Sequence, residues 1–167
     1  MSASATELMK QLKYIEAEIN DIHRNDEEKS TVPAVETVVD NRTTLAPLYE
    51  GTYNFEDNRN RIRELFSEER EIKRILNRFN NETMIEGYDF TIAEGLVRIA
   101  ELKSEIKVLT NITKGGEYVA DRYSSSSVKM AVFDVRAARK VLKEYQRELS
   151  ALQVAVDKTN LNSKIEY

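Results

Sequence analysis

Hydrophobic residues recur in steps of three and four along most of this chain, a spacing that places them on one face of a helix. Leu8, Leu12, Ile15, Ile19 and Ile22 form the first such seam, and it predicts a helix from about Ala5 to Arg24. Glu7, Lys10, Lys13, Glu16, Glu18 and Asp21 fall between them as a solvated face. A second helix is predicted from about Phe55 to Asn80. Ile62, Leu65, Phe66, Ile72, Ile75, Leu76 and Phe79 line one side of it, and Glu69 interrupts the seam. Thr91 with Glu94 three residues on is a capping box, in which each side chain satisfies the other's orphan backbone N–H. The third helix therefore starts there, and Ile92, Leu96, Ile99, Leu102, Ile106 and Leu109 carry it to about Ile112. Lys114-Gly115-Gly116 stops it, because glycine enters the left-handed conformation without steric cost. Asp134 is a good N-cap for a fourth helix reaching about Asn160. Its seam is Leu142, Tyr145, Leu149, Leu152 and Val156.

Two stretches break this rhythm. Residues 26–54 contain Pro33, Pro47 and Gly51, while Val35, Thr37 and Val39 alternate as a strand does. They read as a long, partly extended connection. Tyr118 and Val119, then Val128, Met130, Val132 and Phe133, flank four consecutive serines like the two arms of a hairpin. The expected fold is mainly all-α: a single helical domain over 1–167, an antiparallel helical bundle with coiled-coil-like helices and one small β-hairpin. Seams this regular can zip to a neighbouring subunit, so the first expected partner is the chain itself, as a homo-oligomer.

Composition narrows the partners. A chain of 167 residues is long enough for one domain with a real core. A net charge of -4 argues against DNA as a partner, since such binders carry a basic surplus. The chain has no cysteine, which removes disulfides, thiolate nucleophiles and sulfur-ligated metals. "MSASATELMKQLKYIEAEI" has no apolar core of a signal peptide, and no apolar run approaches the ~20 residues of a membrane span. The expectation is a cytoplasmic protein without a membrane partner.

His23 is the only histidine. With no second histidine and no Glu-x-x-His pair, it reads as a surface residue near a helix C-terminus rather than a metal ligand. Glu68, Glu69 and Glu71 sit among Arg70, Lys73 and Arg74 at ion-pair spacing, an ordinary solvated face. Ser124 to Ser127 have no nearby base to activate a nucleophile, and Gly115-Gly116 lacks the phosphate-loop pattern. No catalytic residue, metal or cofactor is expected, and the chain is read as a non-enzyme. What remains is a set of donors. Asn77, Arg78, Asn80 and Asn81 end the second helix; Arg122, Tyr123, Ser124, Ser125, Ser126, Ser127 and Lys129 surround the hairpin turn. Arginine forks and hydroxyls suit phosphate, and a tyrosine ring stacks on a base. The plainer reading is that asparagines mark helix ends and serines mark turns.

The stretches "ILNRFNNET", "IAEGLVRIAELKSEI", "RYSSSSVK" and "DVRAARKVLKEYQRELSALQVAVDKTN", in that order, resemble the septicolysin-like family of bacterial and phage helical proteins. The likeness spans about Leu76 to Asn160. Phe79 stands where that family has threonine, Ile99-Ala100 covers its Arg-Asp position, and no tryptophan follows Asn160. Arg98, one residue from that pair, joins the candidate site on the strength of the resemblance. The resemblance implies a helical, oligomer-prone cytoplasmic protein without an established enzymatic activity. Three functions stay open, an enzyme acting on a nucleotide or nucleic acid being the third. One is a non-enzymatic homo-oligomer that sequesters a small phosphorylated, nucleotide-type ligand, as a phage sponge for a bacterial immune signal would. The alternative is a structural or protein-interaction helical oligomer with no small-molecule ligand.

Overall fold

The computed structural model describes residues 2–39, 42–120 and 128–166. They are mainly helical, in four helices: α1 (Ala5–Lys29), α2 (Phe55–Glu82), α3 (Ile92–Thr113) and α4 (Val135–Asn162). One small hairpin was expected, whereas the described residues form three antiparallel two-stranded sheets. Strand β1 (Ser2–Ser4) pairs with β6 (Lys164–Glu166), β2 (Ala34–Val39) with β3 (Arg42–Pro47), and β4 (Tyr118–Ala120) with β5 (Val128–Met130). No described helix is long and apolar enough to cross a membrane. The chain divides into two compact units, one built on Thr6–Leu76 and the other on Ser2–Ala5 with Asn77–Glu166.

In the first unit the predicted seams meet. Ile15 and Ile19 of α1 and Leu65 of α2 are buried together, with Ile22 and Ile72 packed against them. Outside this core, Arg61 holds Glu18 in a two-pronged grip, Nε to Oε1 at 2.7 Å and Nη2 to Oε2 at 3.2 Å. Both partners are exposed, so the pair sets the register of α1 on α2 more than it adds stability. Glu69, the break in the α2 seam, is tolerated because its side chain, only 17% exposed, pairs with Lys73 one turn on.

Helix α1 runs past the expected Arg24 to Lys29, although "NDEEK" carries no apolar signal. The reason is tertiary. Asp26 accepts from Tyr53 Oη at 2.7 Å and Asn58 Nδ2 at 3.0 Å, and pairs with Arg59. This polar knot fixes the last turn, and with it the point where the connection rejoins α2. Within that connection β2 and β3 pair from Ala34↔Pro47 to Val39↔Arg42. The Thr37 and Thr44 hydroxyls meet at 2.9 Å, a cross-strand pair of the kind that stabilises hairpins.

In the second unit α3 and α4 lie antiparallel. Arg98 near the start of α3 meets Glu148, and Thr113 at its end meets Arg139. Both predicted caps form: Thr91 Oγ1 accepts from Glu94 N while the Glu94 carboxylate accepts from Thr91 N at 2.7 Å. Asp134 accepts from the amides of Arg136 and Ala137. The buried seam of α3 passes through Gly95 rather than Leu96, which is exposed. Only a glycine lets the neighbours approach that closely. A Cβ at position 95 would collide with Ile85 Cδ1 and lie 3.4 Å from Phe90 Cε2 and 3.7 Å from Val156 Cγ2. Ile85, fully buried, is held there by the tight α2–α3 connection, where its N–H donates to Phe90 O and its carbonyl accepts from Tyr88 N.

Candidate anion-binding site

The donors read from the sequence fare differently. Asn77, Arg78 and Asn81 are exposed and Asn80 half-buried on the last turns of α2. Asn81 Nδ2 donates to Asn77 O at 2.7 Å, so it satisfies the helix's own terminal carbonyls, as helix-ending asparagines do. Arg98 is a strut between α3 and α4. Its Nε donates to Glu148 Oε1 at 2.8 Å and its Nη1 to Glu101 Oε2 at 3.3 Å. Those two bonds, the one to Glu148 foremost, hold its guanidinium charged above the usual arginine range. With its charge answered twice inside the fold, Arg98 serves helix pairing. Lys129 is exposed on β5, paired in register with Val119. Arg122, Tyr123, Ser124, Ser125, Ser126 and Ser127 lie outside the described residues.

A second set of cations was not singled out from the sequence. Arg136, Arg139, Lys140 and Lys143 occupy the first turns of α4 at the i, i+3, i+4, i+7 spacing of a single helix face. All are exposed, and they line one concavity of about 270 Å³. None forms an ion pair with a described residue. Arg139 is the anchored member: its Nη2 donates to Thr113 O at 3.0 Å, at the C-terminal end of α3 where helix carbonyls point outward. The Asp134 cap, with Oδ1 2.9 Å from Arg136 N and 3.0 Å from Ala137 N, fixes where α4 begins. Buried Val135 seats that first turn. The hairpin base closes beside it, Ala131 N donating to Glu117 O at 2.8 Å.

Like charges one turn apart cost a helix about 0.2–0.5 kcal/mol per pair. The stripe therefore carries a stability penalty. In chemical terms it offers two guanidinium forks and two ammonium groups around a cavity slightly smaller than the ~300–1,000 Å³ of ordinary ligand pockets. That is room for a phosphorylated group, not for the whole of a large ligand. The sequence signal was present in "RAARKVLK". The apolar period of α4 masks it, because the cations fall between the apolar positions and look like ordinary solvated surface.

Other polar cavities are less suited to an anion. One of about 260 Å³ in the first unit is lined by Asn25, Lys29, Tyr53 and Asp57 among others, beside the Asp26 knot. Its carboxylate is already saturated, and the Arg59 guanidinium lies over the Phe55 ring at 5.5 Å. This corner pins the connection. No group of three or more His, Cys, Asp or Glu poised for a metal occurs among the described residues, and His23 is exposed.

Residues 36–165 match the model of a family described as "Family of unknown function (DUF6847)". The solved structure of a functionally unknown conserved protein from Corynebacterium diphtheriae has the same fold. Its TM-score is 0.77 at 18% sequence identity, covering 99% of this chain and 100% of that one. No curated protein matches.

Proposed function

The chain belongs to this family of unknown function, and we propose that it is a non-enzymatic, homo-oligomeric binding protein that holds a small phosphorylated, nucleotide-type ligand. One observation carries the reading. Four cations without carboxylate partners among the described residues converge on a single concavity at the α3–α4 corner, with Arg139 braced against a helix end. Charge-assisted bonds from arginine forks to phosphate oxygens are about twice as strong as neutral ones. A braced fork also loses less freedom on binding. The base or sugar of the ligand lies beyond the concavity; Arg122 to Ser127, candidates read from the sequence, are outside the described residues.

Calorimetry tests the reading with a panel of pyrophosphate, ADP, ADP-ribose derivatives and cyclic nucleotides. At least one compound binds, and Arg139→Ala with Lys140→Ala weakens it by roughly 10- to 100-fold, the loss of one or two charge-assisted bonds. An absence of heat across the panel, or a double variant that binds as the parent does, overturns it.

A second reading rests on a different feature. Apolar side chains stay open on α3 and on the hairpins, Val97, Val108, Tyr118, Val128, Met130 and Val132 among them. This favours a helical oligomer whose surfaces are the working part, with copies completing an antiparallel, coiled-coil-like bundle.

A further inference from the structure

We propose that the outer face of α3 is a self-association surface, covered in solution by the same face of a second copy of this chain. The proposal gives the oligomerisation in the functional reading a location, and rests on that reading for nothing else. Ile92, Gly95, Ile99 and Leu102 of α3 are buried within its own unit. Half a turn around the helix, Val97, Ala100, Ser104, Val108 and Ile112 run down the opposite side. Val97 is 60% exposed, Val108 50% and Ile112 46%. A helix apolar on both sides belongs between two layers. Within its own unit the described residues cover one of those sides, the one packed on α4 and Ile85.

Charge names the occupant and its direction. Glu105 lies on one flank of the seam, beside Glu94 in its cap and Glu101 bound to Arg98, and Lys103 and Lys107 lie on the other. Two copies of α3 running parallel about a two-fold axis set the acidic flank of each beside the basic flank of the other, as in parallel coiled coils. End-to-end reversal would instead face acid with acid. Ser104, small and central, lets the two backbones approach.

The chain has no cysteine, so Ser104→Cys supplies a unique thiol at the middle of the seam. Mild oxidation of that variant is expected to give a disulfide-linked dimer in high yield, while Tyr14→Cys, exposed on α1, stays unlinked. Sedimentation of the parent chain at tens of micromolar is expected to show a dimer or a multiple of it. Val108→Glu, at an already exposed site, drops the mass to one chain with the helical circular dichroism unchanged. A monomeric parent overturns the proposal, as does a Ser104→Cys variant that links no faster than Tyr14→Cys, or a Val108→Glu variant of unaltered mass. If Val38→Glu on β2 dissociates the protein equally, the seam is not the surface and the proposal falls. A monomer that still binds a panel compound sinks this surface alone; an oligomer that binds none sinks the ligand reading alone.

Discussion

Replacing Gly95 by alanine should destabilise the second unit even though alanine is the better helix former. Moving from glycine to alanine inside a helix gains about 1 kcal/mol. Against that, the new methyl would overlap Ile85 Cδ1, while Phe90 Cε2 at 3.4 Å and Val156 Cγ2 at 3.7 Å leave it nowhere to retreat. Ile85 is 1% exposed, so its methyl has no solvent to move into. Overpacking of a closed core costs about 1–3 kcal/mol, and the net is a loss of roughly 1 kcal/mol. Ile85→Val deletes the overlapping atom. Alone it costs about 0.5–1.5 kcal/mol. Combined with Gly95→Ala, the added methyl fills the vacated space and the helix gain survives, so the double variant should match the parent within about 0.5 kcal/mol. The coupling between the sites is then about 1–2 kcal/mol in favour of the pair. Urea unfolding followed by circular dichroism at 222 nm, with equal slopes across the four proteins, measures it. Additive effects within about 0.5 kcal/mol, or a Gly95→Ala variant more stable by the full propensity gain, would refute the close-approach argument.

Other consequences are as direct. Asp134→Ala removes the cap of α4 and should cost about 1 kcal/mol by thermal or urea unfolding; with the start of α4 loosened, affinity for the panel ligand should fall as well. Leu102→Ala empties a fully buried site and should cost about 2–5 kcal/mol, while Leu96→Ala on the exposed side should cost less than about 0.5. Glu18, Glu71 and Glu94 are held below the usual 4.5, Glu18 by its bond to Arg61, Glu71 by Arg74, and Glu94 by the Thr91 amide and hydroxyl. The folded chain therefore takes up these protons later than the unfolded one. Their contribution is complete above about pH 4.5 and is lost as pH falls through the depressed values. Stability profiles of Arg61→Ala, Arg74→Ala and Thr91→Ala should each be flatter than the parent's in that acid window, and an unchanged slope would count against the assignment.

The sequence carried the helices because each is announced by a seam, and α3 and α4 by a cap as well. Thr91–Glu94 and Asp134 were visible as residue types, and Ile15, Ile19, Leu65, Ile99 and Leu102 fell inside as their spacing required. Features that depend on distant residues were not legible. The last turn of α1 is held by Tyr53 and Asn58, which no local pattern connects to Asp26. The second side of α3 was hidden by its own seam, since a period search rewards the stronger stripe and passes over Val97, Val108 and Ile112. The same habit concealed Arg136, Arg139, Lys140 and Lys143, whose spacing is as helical as that of the apolar residues between them. Arg98 is the opposite case, since residue type marks it as a donor and only the fold reveals its bond to Glu148 on another helix.

The pairing of Ser2↔Glu166, Ala3↔Ile165 and Ser4↔Lys164 joins segments from opposite extremes of the chain. During synthesis β1 must therefore wait, unpaired, until the ribosome has delivered everything through Glu166. Contacts this remote in sequence form late and slowly. A proline introduced at Ala3 or at Ile165 therefore unzips one and the same ladder.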